Sequence, residues 1–326
     1  MRIQLAAAVA LAPLMMASGA AAQTVITNER TTPIATATAN NGAPDSIRIG
    51  NGGVIRLSSG NAVTVNSSHG LTLDSGGRIL IENAADGATG VLILGGNSAS
   101  IVNNGSINIV DNVTATDADS DGDADGAFAS GTGRFGIRVV GPGALTGNIH
   151  NDGTITVEGN QSAAISVETD LTGSLIQSGT ISMLGNQSYG LRTTGSISEF
   201  LYAGGRIEVT GEDSVGVSVE GDVVGRLTFG GTIVASGYRY TGALTAAQIA
   251  ALDADDLLQG GPAVSISGNV GGGILFDLAR TDITGDDDDD DDGIPDTTDT
   301  DSNNNGVLDT DEGASDISSY GSAPAV

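Results

Sequence analysis

A five-residue pattern, glycine, any residue, isoleucine, any residue and a mostly apolar one, returns at a constant interval through the centre of the chain. Its copies are Gly153-Thr-Ile-Thr-Val, Gly179-Thr-Ile-Ser-Met, Gly205-Arg-Ile-Glu-Val and Gly231-Thr-Ile-Val-Ala, with earlier ones at Gly77 and Gly105. A second pattern runs in step with it. Phe135-Gly-Ile-Arg-Val, Ala163-Ala-Ile-Ser-Val, Tyr189-Gly-Leu-Arg-Thr and Val215-Gly-Val-Ser-Val follow one another at spacings of 28, 26 and 26. A third apolar patch lies between the two, as in Leu145–Ile149, Leu171–Ile176 and Val223–Phe229.

Each unit therefore holds three short segments in which apolar and polar residues alternate, divided by Gly, Asn, Asp or Ser. Alternation over four to six residues marks a strand, and no segment keeps the helical period for long. A unit this small cannot bury its apolar face alone, whereas stacked units share one continuous core. The expected fold is all-β, a right-handed parallel β-helix of three-strand coils of about 26 residues. A β-sandwich also has many short strands but does not require a constant repeat. The 50 glycines fit the many corners, where they allow backbone conformations closed to other residues.

The repeat sets the expected boundaries. Upstream it reads through Ser46-Ile-Arg-Ile, Val54-Ile-Arg-Leu, Val63-Thr-Val and Leu71-Thr-Leu, so the β-helix spans 46–326 and residues 23–45 form an entry segment or capping coil. Pro262-Ala-Val-Ser-Ile restarts the pattern, and Pro324-Ala-Val begins another coil, which points to a longer protein of which this is the N-terminal part. Three intervals exceed the repeat unit, giving insertions at about 111–134, 237–261 and 284–314. All three are expected to leave from one corner, after the Gly-x-Ile strand and before the next x-Gly-Val strand. Insertions gathered on one face of a solenoid commonly mark its binding face, although a corner can also merely tolerate loops. In the second insertion, Thr245-Ala-Ala-Gln248 is a capping box, followed by Ile249, Leu252, Leu257 and Leu258. A short helix packed outside the coil is expected there.

The other two insertions are acidic. Asp286 to Asp292 are seven consecutive aspartates, followed by Gly293-Ile-Pro-Asp296 and, after Asp299, by Asp301-Ser-Asn303-Asn-Asn305-Gly306-Val-Leu-Asp309. Twice, oxygen-bearing side chains occupy alternate positions, then come Gly, an aliphatic residue and a further Asp. The sets are Asp288, Asp290, Asp292 with Asp296, and Asp301, Asn303, Asn305 with Asp309. Alternate oxygens can turn inward around a hard cation, the glycine makes the sharp turn, and the later carboxylate closes the shell. Calcium takes about six to eight such oxygens, and magnesium a tighter octahedron with several waters. A plain solvated acidic loop is the competing reading. Asp117, Asp119, Asp121, Asp123 and Asp125 repeat the alternation without the closing carboxylate, a weaker candidate for the same cation. The role expected of the metal is structural, because a segment of this charge orders only when cations neutralise it.

Eighteen of the 40 acidic residues lie in these two runs, so a formal charge of −28 falls to −10 for the rest of the chain. That balance argues against a nucleic-acid partner, which needs a basic surface. There is no Cys, hence no disulfide, thiolate metal site or cysteine nucleophile. All twelve basic residues are Arg, so the lysine bases of β-helical lyases are missing. Outside the insertions, Asp152, Glu158, Glu168, Asp170 and Glu208 are scattered without a repeated pairing. His150 beside Asn151-Asp152-Gly153 reads as an exposed turn rather than a general base. The expectation is that the chain is not an enzyme.

Met1-Arg2, the apolar run Leu5 to Met16 and the small residues Gly19-Ala20-Ala21-Ala22 have the layout of a secretory signal peptide, residues 1–22. No later stretch reaches the roughly 18 apolar residues of a membrane span. The mature chain is expected to be exported.

The export signal, the cysteine-free acidic solenoid and the Ile-x-Asn-x-Gly-x-Ile corners at 101–107 and 149–155 resemble the passenger domains of Gram-negative autotransporters. That resemblance implies display at the cell surface or outer membrane, or release outside the cell, through a C-terminal outer-membrane barrel. The barrel is absent from this chain, so contact with the outer membrane would come only through it. From Asp288 to Asp299 the pattern resembles the calcium-binding repeat of thrombospondin type 3 domains, without their cysteine pair. The function implied is a structural or adhesin-like surface protein with calcium-stabilised loops and an unidentified surface ligand. Nothing points to a homo-oligomer. The alternative is an extracellular β-helical carbohydrate-active enzyme whose catalytic region lies beyond this chain.

Overall fold

The computed structural model describes residues 23–114, 116–117, 125–238, 245–252, 254, 256–277 and 315–326. Among these the chain forms a parallel β-helix of about eight turns. Three long sheets run its length, and every strand pair in them is parallel. The first sheet has nine strands, from Gln23–Ile26 to Ile274–Asp277. The second also has nine, from Glu29–Arg30 to Asp316–Tyr320, and the third has eight, from Ile34–Ala35 to Val264–Ile266.

The repeat period is the rung spacing. Ile155 pairs with Ile181, Ile181 with Ile207 and Ile207 with Ile233, each one repeat on. The same ladder extends down through Ile107, Ile79 and Ile55 and up to Ile317. From Ile55 to Ile233 these side chains are fully buried. Each buried isoleucine contributes roughly 1.5–3 kcal/mol, and a neighbour of like shape above and below keeps the packing dense.

The recurrent glycines have a physical cause beyond conformational freedom. A Cβ at Gly179 would overlap the carbonyl oxygen of Gly153 in the coil beneath, and one at Gly231 would overlap that of Gly205. Gly231 also has φ +81, whereas Gly179 carries no such strain. At this corner the requirement common to both is close approach of stacked backbones.

Residues 23–45 form a complete first coil, with one strand in each sheet and a short 3-10 turn at Thr36–Thr38. At the other end, the amide of Val264 donates to Ala325 at 2.8 Å, repeating the bond from Val217 to Ala263. Pro324-Ala-Val thus lies on the pattern of Pro262-Ala-Val, as the repeat predicts.

Two insertions leave from the expected corner. Residues 110–134 join Ser106–Ile109 of the second sheet to Phe135–Val140 of the third, and 237–263 join Thr232–Ser236 to Val264–Ile266. The third does not. The segment between Ile274–Asp277 and Asp316–Tyr320 joins the first sheet to the second, so it leaves one corner earlier. The strand that closes it, Asp316-Ile-Ser-Ser-Tyr, lacks the leading Gly and therefore escapes the sequence pattern.

The capping box forms at helix α1, Ala246–Ala251, with Thr245 Oγ1 accepting from the Gln248 amide at 3.3 Å. Its packing differs from expectation. No residue of α1 is buried, and Ile249 and Leu257 are more than half exposed. No helix among the described residues is long and apolar enough to cross a membrane. Residues 1–22 lie outside the described ones.

Candidate functional site

The outward side chains of the third sheet form a two-coil motif that the sequence reading missed. Phe135, Ala163, Tyr189 and Val215 stack in one row, and Arg138, Ser166, Arg192 and Ser218 in a second. Large and small residues alternate coil by coil. The wide rungs at 135–138 and 189–192 therefore stand as walls around the narrow rung at 163–166. The notch between them is lined by Phe135, Arg138, Ala163, Ser166, Tyr189 and Arg192.

Each wall is held together in the same way. Arg138 grips Glu168 through two hydrogen bonds of 2.7 and 3.0 Å, and its guanidinium lies 4.0 Å from the centre of the Phe135 ring. Arg192 grips Glu220 at 2.7 and 3.0 Å and lies 4.7 Å from the centre of the Tyr189 ring. Ser166 and Ser218 each add a hydroxyl bond to the glutamate two residues on, at 3.0 and 3.1 Å. Paired forks of this kind fix the planes of both groups.

The two carboxylates stay ionised. Partial burial works against the charge of Glu168, but the Arg138 fork and the Ser166 hydroxyl outweigh it and lower its pKa. For Glu220 the Arg192 hydrogen bonds dominate and lower it likewise, while Arg192 is raised in return. Glu168, read from sequence as one of several scattered carboxylates, is thus half of a repeated arginine–glutamate unit.

The rim of the notch is a strained turn. Gln161, Gln187 and Asp213, each one repeat from the last, have φ of 50, 54 and 53 and all line the same cleft. A side-chain-bearing residue in the left-handed region costs about 1 kcal/mol or more, and such outliers cluster at functional sites. Gln161 Nε2 donates to Gln187 Oε1 at 3.1 Å, so the amides form a ladder along the rim.

A second polar centre closes the base of the first acidic insertion. Asp111 and Arg134 pair at 2.7 Å with side chains 2% and 3% exposed. Asp111 also accepts from the Ser130 amide and hydroxyl, both at 2.8 Å, and from the Gly131 amide at 3.0 Å. Burial opposes its charge, yet the bonds from Ser130, Asn112, Gly131 and Arg134 hold its pKa well below the usual carboxylate range. Arg134 further donates to the carbonyls of Ala84, Ala85 and Glu158. Both ends of the insertion are thereby tied to the coil.

Most residues singled out from sequence as metal ligands fall beyond the described structure. Asp288, Asp290, Asp292, Asp296, Asp299, Asp301, Asn303, Asn305 and Asp309 lie outside the described residues, as do Asp119, Asp121 and Asp123. Asp117 is exposed, and Asp125 bridges to Thr116 in antiparallel fashion. Among the described residues no three acidic or histidine side chains are grouped to hold a metal. His150 is not an exposed turn: it lies within the strand Ile149–Asn151, half-buried, with Nε2 3.2 Å from Ser178 Oγ.

Comparison of the chain with protein-family models, with curated proteins and with solved structures returned no match.

Proposed function

We propose that the chain is an exported, surface-displayed or released β-helical protein, a structural, adhesin-like passenger of the autotransporter type. The observation that carries this reading is the solenoid itself: about eight regular coils stack into one continuous parallel β-helix with a patterned outer face, built without disulfides. The hydrophobic leader at 1–22 supplies the route out of the cytoplasm. The absence of Cys leaves nothing to lock the chain during passage through a pore.

The acidic segment 286–312 is a calcium-stabilised loop on this reading. Its donor set is all oxygen, carboxylate and carboxamide, at alternate positions before a glycine, which suits a hard cation of high coordination number. Asp288, Asp290, Asp292 and Asp296 would hold one ion, and Asp301, Asn303, Asn305 and Asp309 a second, with Asp299 between them. Neutralising that charge is what the ion supplies.

The role is binding rather than catalysis. A glycoside hydrolase acid needs a raised pKa. Glu168 and Glu220, on the outer face of the third sheet, are both lowered and both tied to arginine. Mass analysis of the protein recovered from the producing cells tests the export step. Removal of the leader after Ala22 is expected, and a retained Met1 start would sink the reading.

A further inference from the structure

We propose that Asn112, at the base of the first acidic insertion, is an N-glycosylation acceptor whose side-chain amide takes a sugar from a glycosyl diphosphate donor. This goes beyond the export reading, and the two are read separately in the test.

Five Asn-x-Ser/Thr tripeptides, the acceptor pattern of N-linked transfer, occur in the chain, at Asn66, Asn104, Asn112, Asn160 and Asn186. The pattern alone does not choose among them, but the chemistry of transfer does. A carboxamide nitrogen is a poor nucleophile, because its lone pair is shared with the carbonyl. A transferase therefore grips both the amide and the hydroxyl two residues on. That requires a surface tripeptide able to leave the fold and enter the groove of the enzyme.

Four of the five are built into the coils. Asn160 Nδ2 donates to the Ala129 carbonyl at 2.9 Å, its Oδ1 accepts from the Asn186 amide at 2.9 Å, and Ser162 is buried. Asn186 Oδ1 accepts from the Glu212 amide at 3.0 Å, and Ser188 is fully buried. Asn66 Oδ1 accepts from the Ala37 amide at 3.0 Å, and Ser68 Oγ from the Ser98 amide at 3.1 Å. Asn104 is exposed, but Ser106 lies in the strand Ser106–Ile109, paired with Arg78 on one side and Thr154 on the other. Presenting any of these four would break the bonds that hold it to the neighbouring coils.

Asn112 differs on each count. Asn112, Val113 and Thr114 are all exposed and belong to no strand. They follow Asp111 directly, whose buried pair with Arg134 fixes the point where the insertion leaves the coil. The backbone bridge from Thr116 to Asp125 begins only beyond them. The tripeptide thus stands on an anchored stem, outside the ladders of the solenoid.

In the transfer, Nδ2 of Asn112 attacks the anomeric carbon of the donor. The carbon–nitrogen bond forms as the bond to the phosphate oxygen breaks, and the diphosphate leaves with the electron pair. The amide proton passes to a carboxylate of the transferase. Nucleotide-linked and lipid-linked donors share this chemistry and differ in compartment.

The test is mass analysis of the full chain from the producing cells, with fragmentation of the tryptic peptide 79–134 to place the modification. Sugar is expected on Asn112 and on none of the other four asparagines. Thr114→Ala, which keeps the acceptor amide and removes the recognition hydroxyl, should lose the sugar, and Thr114→Ser should retain it. A sugar already present on the leader-bearing precursor supports the proposal with a nucleotide-linked donor; one confined to the leader-free chain supports it with a lipid-linked donor. An unmodified Asn112 in the unaltered chain overturns the proposal, as does sugar on the other four sites instead, or its persistence in Thr114→Ala. A retained Met1 start overturns the export reading whatever Asn112 carries, so the two failures are told apart.

Discussion

Arg134 Nη1 lies 2.7 Å from Asp111 Oδ2, with both side chains all but sealed from solvent, and this pair pins the acidic insertion 112–130 to the coil. Removing one partner leaves the other charged, buried and unpaired. Arg134→Ala is therefore expected to cost about 3–5 kcal/mol in urea unfolding at neutral pH. The sign of the pH effect follows from Asp111. Its folded pKa lies below its unfolded value, so its stabilisation is complete at neutral pH and fades as pH falls below about 4 towards the folded value. Asp111→Asn should lower stability at pH 7 and flatten the decline between pH 5 and pH 2. An unchanged acid profile in that variant would remove Asp111 as its source.

Thr193 predicts a gain. Its side chain is fully buried between Val167 below and Val219 above, and its hydroxyl has no hydrogen-bond partner. Thr193→Val keeps the shape and removes the unsatisfied group, so it should raise stability by about 1 kcal/mol. A lower unfolding midpoint for the valine variant would refute this account of the site.

Asn151 predicts a loss by the same logic reversed. Inside the first sheet it accepts from Asn103 at 2.6 Å and donates to Gln177 at 2.6 Å, all three side chains being fully buried. Asn151→Ala strips both neighbours of a partner and opens a cavity, for an expected loss of about 2–4 kcal/mol. Asn151→Gln, which can keep one bond, should lose less. Equal losses would show that the amide ladder contributes little.

The layout of the solenoid is legible in the sequence because its core repeats. Ile155, Ile181 and Ile207 must be alike to stack, so buried identity shows as a period along the chain. The outer face obeys no such rule. Arg138 and Glu168 meet only after two strands are stacked, a full coil apart in the chain, and nothing local links them. The signal that could have found the unit is the two-coil repeat itself, Phe135-Gly-Ile-Arg against Tyr189-Gly-Leu-Arg, with Ser166-Val-Glu168 against Ser218-Val-Glu220. The third insertion leaves from a different corner than the repeat suggests, because Ile317 lacks the glycine two residues before it that marks its partner Ile233. The proposed calcium ligands are legible only as a pattern of oxygen donors, and they lie outside the described residues.

Calcium has its own check. Calorimetric titration of the calcium-free chain should show binding, with a rise in melting temperature that grows with calcium concentration. Asp288→Ala combined with Asp290→Ala and Asp301→Ala should abolish the heat and the shift. A triple variant that titrates like the unchanged protein would refute the ligand assignment.

Whether the chain stands outside the cell is read from protease treatment of intact cells that make the protein. Added protease is expected to degrade the chain, or the chain is recovered from the medium, while a cytoplasmic control protein survives untouched. A chain that is protected in intact cells and cleaved only after both membranes are opened would contradict it.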